Sequence, residues 1–164
     1  MGAYAFAGCT GVLIDLSNAV LTEIGEEAFK DCNRLSAVML GEGLTEIPEF
    51  TFMNCSSLSF VYFPSTLLGI GESAFDGCEQ LSILLMPASV QQIEHGAFSD
   101  CKSLSTLFYG GNREEFDLLL SHTDHGSNQN FISLQDSVIL YSETEPTENG
   151  DFWHYDDTHA PTLW

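Results

Sequence analysis

The chain is 164 residues long and carries 24 acidic side chains against four lysines and arginines, a formal charge of −20. A field of that sign opposes binding to nucleic-acid phosphates and to anionic lipid. No long apolar stretch is present for membrane insertion, and no calcium-loop spacing organises the acids, which fall at turn positions such as Glu23, Glu46, Glu72 and Glu94 as a solvated surface.

Residues 1–8, MGAYAFAG, read as the tail of a repeat whose later counterparts are AFKD and AFDG. They hold no basic n-region or cleavage site, and Phe6 stands where a myristoylation signal needs Ser or Thr. The expectation is an array entered in mid-course, with further repeats, a cap and any export signal upstream. Five cysteines, Cys9, Cys32, Cys55, Cys78 and Cys101, then follow at a constant 23-residue interval. Each has a phenylalanine three residues before it: Phe6, Phe29, Phe52, Phe75 and Phe98. A fixed period of this length marks a solenoid, in which each copy buries its apolar face only by stacking on the next.

Within each copy a strand comes first. Apolar residues recur at Leu35, Val38 and Leu40, at Leu58, Val61 and Phe63, at Leu81, Leu84 and Met86, and at Leu104, Leu107 and Tyr109. This is a short strand with inward positions, closed by a turn that carries Pro64 or Pro87. A second apolar pair follows (Leu44 and Ile47, Leu67 and Ile70, Val90 and Ile93), then a one-turn helical segment ending in Ala-Phe or Thr-Phe. In the first copy Val12 replaces the leucine, and Asp15 and Ser17 fall at the inward strand positions. The residue before each cysteine is Gly8, Asp31, Asn54, Gly77 or Asp100, the three types that tolerate a left-handed backbone. Glycine at two of these sites argues for a geometric role over a catalytic or calcium-binding one.

The cysteines share one column of the stack. Neighbouring coils lie ~4.8 Å apart, whereas disulfide Cβ atoms need ~3.8 Å and a specific torsion, so the column predicts a ladder of buried thiols. No Cys-x-x-Cys or Cys-x-x-His pair is present to bind metal.

Beyond the repeats, Asn112 and Glu115 form an N-cap box with Phe116, Leu119 and Leu120 at helical spacing behind it. This predicts a helix over 112–122 that closes the last coil. His122 to Gln129 reads as loop, and Phe131–Leu134 with Val138–Tyr141 as a strand pair or one last irregular rung. The tail holds Trp153, Tyr155 and Trp164, aromatics that pack back on the solenoid or stack on a ligand such as a sugar ring. The expected units are repeats over 1–111, a cap over 112–141 and an acidic, aromatic tail over 142–164. His122 and His125, with His154, Asp156, Asp157 and His159, have metal-ligand chemistry without the spacing of a metal motif. No nucleophile motif or paired-acid arrangement is visible, and no cofactor, metal or enzymatic activity is expected.

The carried pattern is C-x-x-L-x-x-[IV]-x-[LF]-P, then L-x-x-I, then A-F ahead of the next cysteine. It resembles the BspA-like, or Treponema pallidum type, leucine-rich repeat proteins over about residues 3–110. GGNREEF…VILY and SETEPTENGDFWHY resemble segments that close such arrays, with Asp157, Thr158 and His159 departing from the closing pattern. The resemblance implies an α/β architecture: a right-handed leucine-rich-repeat solenoid of about five coils with short strands and a helical C-terminal cap. It also implies a secreted or surface-attached bacterial protein that is adhesive, protein-binding and non-enzymatic.

In such a fold the residues between the inward strand positions face outward. They form two columns, Ala37, Phe60, Ile83, Thr106 and Met39, Tyr62, Leu85, Phe108, of which six are large and apolar. A patch of that kind marks either a docking surface for a protein or glycan, or a face covered by the tail or by a second copy of the chain. The sequence thus supports a binding module acting through Met39, Phe60, Tyr62, Ile83, Leu85 and Phe108. The alternatives are a structural spacer that displays another domain and, from a third class, a metal- or glycan-dependent enzyme built on the tail histidines and aspartates.

Overall fold

The computed structural model describes residues 1–142, 152–155 and 161–163. Its elements run in chain order as β1 (Leu13–Asp15), β2 (Ala37–Met39), β3 (Glu46–Ile47), β4 (Phe60–Tyr62), β5 (Gly69–Ile70), β6 (Ile83–Met86), β7 (Gln92–Ile93) and β8 (Thr106–Tyr109). After them come α1 (Arg113–Ser121), α2 (Gln129–Ile132), β9 (Ile139–Tyr141), β10 (Phe152–Tyr155) and β11 (Pro161–Leu163). The chain is a leucine-rich-repeat solenoid with four 23-residue turns between Cys9 and Cys101. One side stacks the longer strands in the order β1-β2-β4, then β6-β8-β9-β10-β11; a second side stacks the two-residue strands β3-β5-β7. Pairing is parallel throughout except between β10 and β11. Between β4 and β6, which lie side by side, the ladder is interrupted.

The core is a set of columns running down the stack. Phe6, Phe29, Phe52, Phe75 and Phe98 stack ring on ring with centroids 5.2–5.4 Å apart. Leu35, Leu58 and Leu81, Val38, Val61 and Leu84, and Ile47, Ile70 and Ile93 form further buried columns. Each such side chain contributes roughly 1.5–3 kcal/mol on burial, and only because the coil above supplies the other wall.

The segment before each cysteine departs from the expected helical turn. It is a stacked turn with two left-handed residues per coil. The pre-cysteine column is one of them: Gly8, Asp31, Asn54, Gly77 and Asp100 have φ of 68, 60, 61, 74 and 51°. The other, four residues earlier, is Tyr4, Glu27, Phe50, Ser73 and Gly96, with φ of 56, 55, 57, 50 and 64°. Alternate amides thereby point at the next coil: Glu27, Phe29 and Asp31 donate to the carbonyls of Glu49, Thr51 and Met53. An α-helix directs every amide along its own axis and could not make these bonds.

The first copy is also corrected. Both Ser36 and Ala37 donate to the Val12 carbonyl, and Leu13, Ile14 and Asp15 sit opposite Ala37, Val38 and Met39. This copy reaches its strand one residue early, so Ile14 and Leu16 turn toward the core and Asp15 faces out. A one-residue slip exchanges the two faces of a strand.

At the other end α1 forms as expected, capped by the reciprocal Asn112–Glu115 box, with Phe116, Leu119 and Leu120 buried. Residues 131–134 are not a strand: Phe131 ends within the short helix α2, which sets its ring 5.4 Å from Phe98 as the next rung of the phenylalanine column. Ile139–Tyr141 is a strand and continues the sheet beside β8.

Candidate functional site

The long-strand sheet presents the outward columns side by side. Register sets Ala37 against Phe60 and Met39 against Tyr62, and likewise Ile83 against Thr106 and Leu85 against Phe108. Phe60, Tyr62 and Ile83 are 38, 41 and 44% exposed, while Met39, Leu85 and Phe108 are half-buried by their neighbours. The inward residues between them, Val38, Val61, Leu84 and Leu107, are fully buried and fix the strands from behind.

The tail meets this sheet at one end. Trp153, in β10, is buried with its Nε1–H donating to the Tyr109 carbonyl at 3.0 Å. Its ring lies 5.7 Å from Phe108 and 5.1 Å from Tyr141, both near-perpendicular. Packing of Trp153 therefore screens the Phe108 end, while Phe60, Tyr62 and Ile83 stay open. The Tyr155 side chain and Trp164 lie outside the described residues.

Two columns of polar residues border the patch. Just before the strands run serines whose hydroxyls turn into the coil: Ser36 Oγ donates to the Val12 carbonyl at 2.9 Å and Ser59 Oγ to the Ser36 carbonyl at 3.1 Å. A little further back is an acidic trough of about 480 Å³, lined by Asp31, Asn33, Asn54, Asp76, Glu79 and Asp100 among others. Burial, and after it the charge of Asp100, holds the Asp76 carboxyl above the usual carboxylate range. Three of the four basic residues are already committed to acids, Lys30 to Glu27, Lys102 to Glu79 and Arg113 to Asp117.

The cysteine ladder is chemically quiet. All five thiols are free, and Cys32, Cys55, Cys78 and Cys101 are buried. Each of these four donates its S–H to a phenylalanine carbonyl of the preceding coil (Phe6, Phe29, Phe52 and Phe75) at 3.0–3.3 Å. Burial pushes Cys32 and Cys101 up to about 12 and raises Cys55 and Cys78 as well. The thiolate needed for nucleophilic attack or metal ligation does not form there at neutral pH.

Sequence reading missed one polar constellation, at the cap. His95 Nδ1 lies 2.8 Å from Asp124 Oδ2, and Ser127 Oγ bonds the same carboxylate oxygen. A nucleophilic triad places serine on the imidazole nitrogen remote from the acid. Here serine donates directly to the acid and accepts from the Gly96 amide at 2.6 Å, which makes it a cap for the last coil. Hydrogen bonds, first from Ser127, hold Asp124 below the usual carboxylate range. Beside it the fully buried Asn128 accepts from the Phe98 amide at 3.0 Å and donates to the carbonyls of Glu94 and Asp124 at 2.8 and 2.9 Å. A further coil would supply these partners from its backbone; the loop 122–129 supplies them from side chains.

The histidines do not converge. His125 bonds the Leu120 carbonyl at 2.8 Å, His122 lines a cavity between α1 and the fourth coil, and His154 sits in β10 opposite Thr162. Asp156, Asp157 and His159 lie outside the described residues. Among the described residues no group of three or more His, Cys, Asp and Glu is placed to hold a metal, and no helix is long and apolar enough to cross a membrane.

The family model for the BspA type leucine rich repeat region matches residues 1–117 in six copies. Among solved structures, the chain is similar to a leucine-rich repeat protein of T. pallidum, with 36% identity over 66% of this chain and a TM-score of 0.62. It is also similar to a leucine-rich repeat protein of Bacteroides ovatus, with 34% identity over 67% of this chain and a TM-score of 0.60. The chain spans 50% of the first structure and 30% of the second. No curated protein matches it.

Proposed function

Because this chain belongs to the BspA-type leucine-rich repeat family, we propose that it is a non-catalytic docking module of a secreted or surface-attached bacterial protein, and that it binds another protein through the long-strand sheet. The observation that carries this reading is the open apolar patch of Phe60, Tyr62 and Ile83, continued by the half-buried Met39 and Leu85. An apolar surface of aromatic and aliphatic side chains on a rigid sheet suits the core of a protein interface.

A glycan is the weaker occupant. Sugar recognition needs hydroxyl-matching groups beside the aromatic platform, and the nearest serines spend their hydroxyls on neighbouring carbonyls. A spacer, the other alternative, has no use for exposed Phe60 and Ile83. The test is an array of immobilised purified secreted proteins and glycans, probed with the wild-type chain and a Phe60→Ser, Ile83→Ser variant of matched circular dichroism. The reading expects retention on protein spots that the variant loses. Retention unchanged in the variant, or confined to glycan spots, would contradict it.

A further inference from the structure

The chemistry around the patch says what kind of protein would sit on it. The acidic trough and the strand face run parallel along the solenoid: the near edge of the trough, Asn33, Ser56 and Glu79, lies four positions before Ala37, Phe60 and Ile83, and its Asp31, Asp76 and Asp100 lie six or seven positions before the face. Both columns advance by one coil at a time, so an extended or helical segment laid along the axis meets both at once. On the other side of the face, Asp15 continues the Met39–Tyr62 column outward from β1, and Glu42 follows β2, engaging Ser65.

Compensating charge is scarce. The chain has 24 acidic residues and four basic ones. Two cations among the described residues lie near Asp31, Asp76, Glu79 and Asp100, and both are held by carboxylates: Lys102 is bound to Glu79 at 2.6 Å, and Lys30, next to Asp31 in the chain, is bound to Glu27. Among the described residues, the remaining trough acids have only Asn54, which donates to Asp31 at 2.9 Å, as a side-chain donor. A neutral partner would desolvate these carboxylates without return, and an acidic one would be repelled.

Resting on the strand-face reading above, we infer that the partner is a basic amphipathic protein segment. Its apolar side chains cover Phe60, Tyr62, Ile83 and Leu85, and its lysines or arginines enter the trough of Asp31, Asp76, Glu79 and Asp100. Complementary charge of this kind sets register and association rate while the apolar contact holds the complex.

Calorimetric titration of the full chain with three synthetic peptides tests the inference: leucine alternating with lysine, leucine with glutamate, and lysine with serine. Only the leucine–lysine peptide should bind with saturation. Its affinity should fall on the order of tenfold in the variant Asp31→Asn, Asp76→Asn, Glu79→Gln, Asp100→Asn, since rim charge pairs contribute a few tenths of a kcal/mol each. It should hold in a variant neutralised equally elsewhere, at Glu23, Glu26, Glu114 and Asp136, and it should fall again in Phe60→Ser, Ile83→Ser. If no peptide binds, if the leucine–glutamate peptide binds as well, or if the two neutralised variants behave alike, the basic-partner inference is overturned. Binding lost in the Phe60→Ser, Ile83→Ser variant but unmoved by trough neutralisation would overturn it while leaving the strand-face reading intact. Binding unmoved by that face variant would bring down both.

Discussion

Asn128 shows how much a single side chain does at the end of an array. It is fully buried, satisfies the Phe98 amide and the Glu94 carbonyl at the end of the last coil, and ties them to the Asp124 carbonyl of its own loop. Asn128→Ala strands the Phe98 amide in the core, and a buried donor without a partner costs about 1–3 kcal/mol. Urea unfolding should therefore show a loss of about 2 kcal/mol, whereas Asn130→Ala, which removes only a 3.5 Å contact to the Phe98 carbonyl, should change little. The thiols make a second residue-scale prediction. Their folded-state pKa is raised, to about 12 for Cys32 and Cys101, against about 8.5 in an unfolded chain. The unfolded state therefore releases thiol protons first. The thiol contribution to stability is intact below about pH 8.5 and is lost as pH climbs from there toward 12, at about 1.4 kcal/mol per thiol for each pH unit. Replacing Cys55 and Cys78 by alanine should flatten that alkaline decline in a pH series of unfolding curves; an unchanged slope would place its cause in other groups.

At the scale of elements, the cap is a repeat rebuilt from different parts. Phe131 from α2 takes the next place in the phenylalanine column, and Phe116 from α1 packs edge-on to it at 6.5 Å. Phe131→Ala opens a cavity at the end of the stack and should cost about 3–5 kcal/mol, while Asn112→Ala, which removes the helix cap alone, should cost about 1 kcal/mol; thermal unfolding of the two variants compares them directly. What the sequence made legible follows the same division. The period, the inward strand positions, the α1 capping box and the pre-cysteine left-handed column could be read because one residue type, or one narrow class, recurs at each. The second left-handed column could not, because Tyr4, Glu27, Phe50, Ser73 and Gly96 share no local preference; the bonds between coils impose that conformation. Phe131 could be read only as part of a strand or of an irregular rung, because its role is set by a column it joins from ten residues out of period. Asp15 and Ser17 were misread because a one-residue slip leaves no mark in composition. The candidate face was legible as apolar at outward positions. Which end the tail screens was not, because that depends on where Trp153 lands.

For the whole molecule, the solenoid converts a short repeated sequence into three parallel stripes: a buried core, an apolar strand face and an acidic trough. The first holds the chain together, and the other two are the surfaces proposed for a partner. The same patch would also serve a second copy of the chain, although a charge of −20 on each copy opposes self-association. The most direct test of the claim that the face is kept for a different protein is sedimentation velocity over a wide concentration range at physiological salt, on the wild-type chain and on the Phe60→Ser, Ile83→Ser variant. The account predicts a monomer throughout for both. A concentration-dependent dimer in the wild type that the variant abolishes would mean that the strand face is a self-association surface, and would contradict the claim.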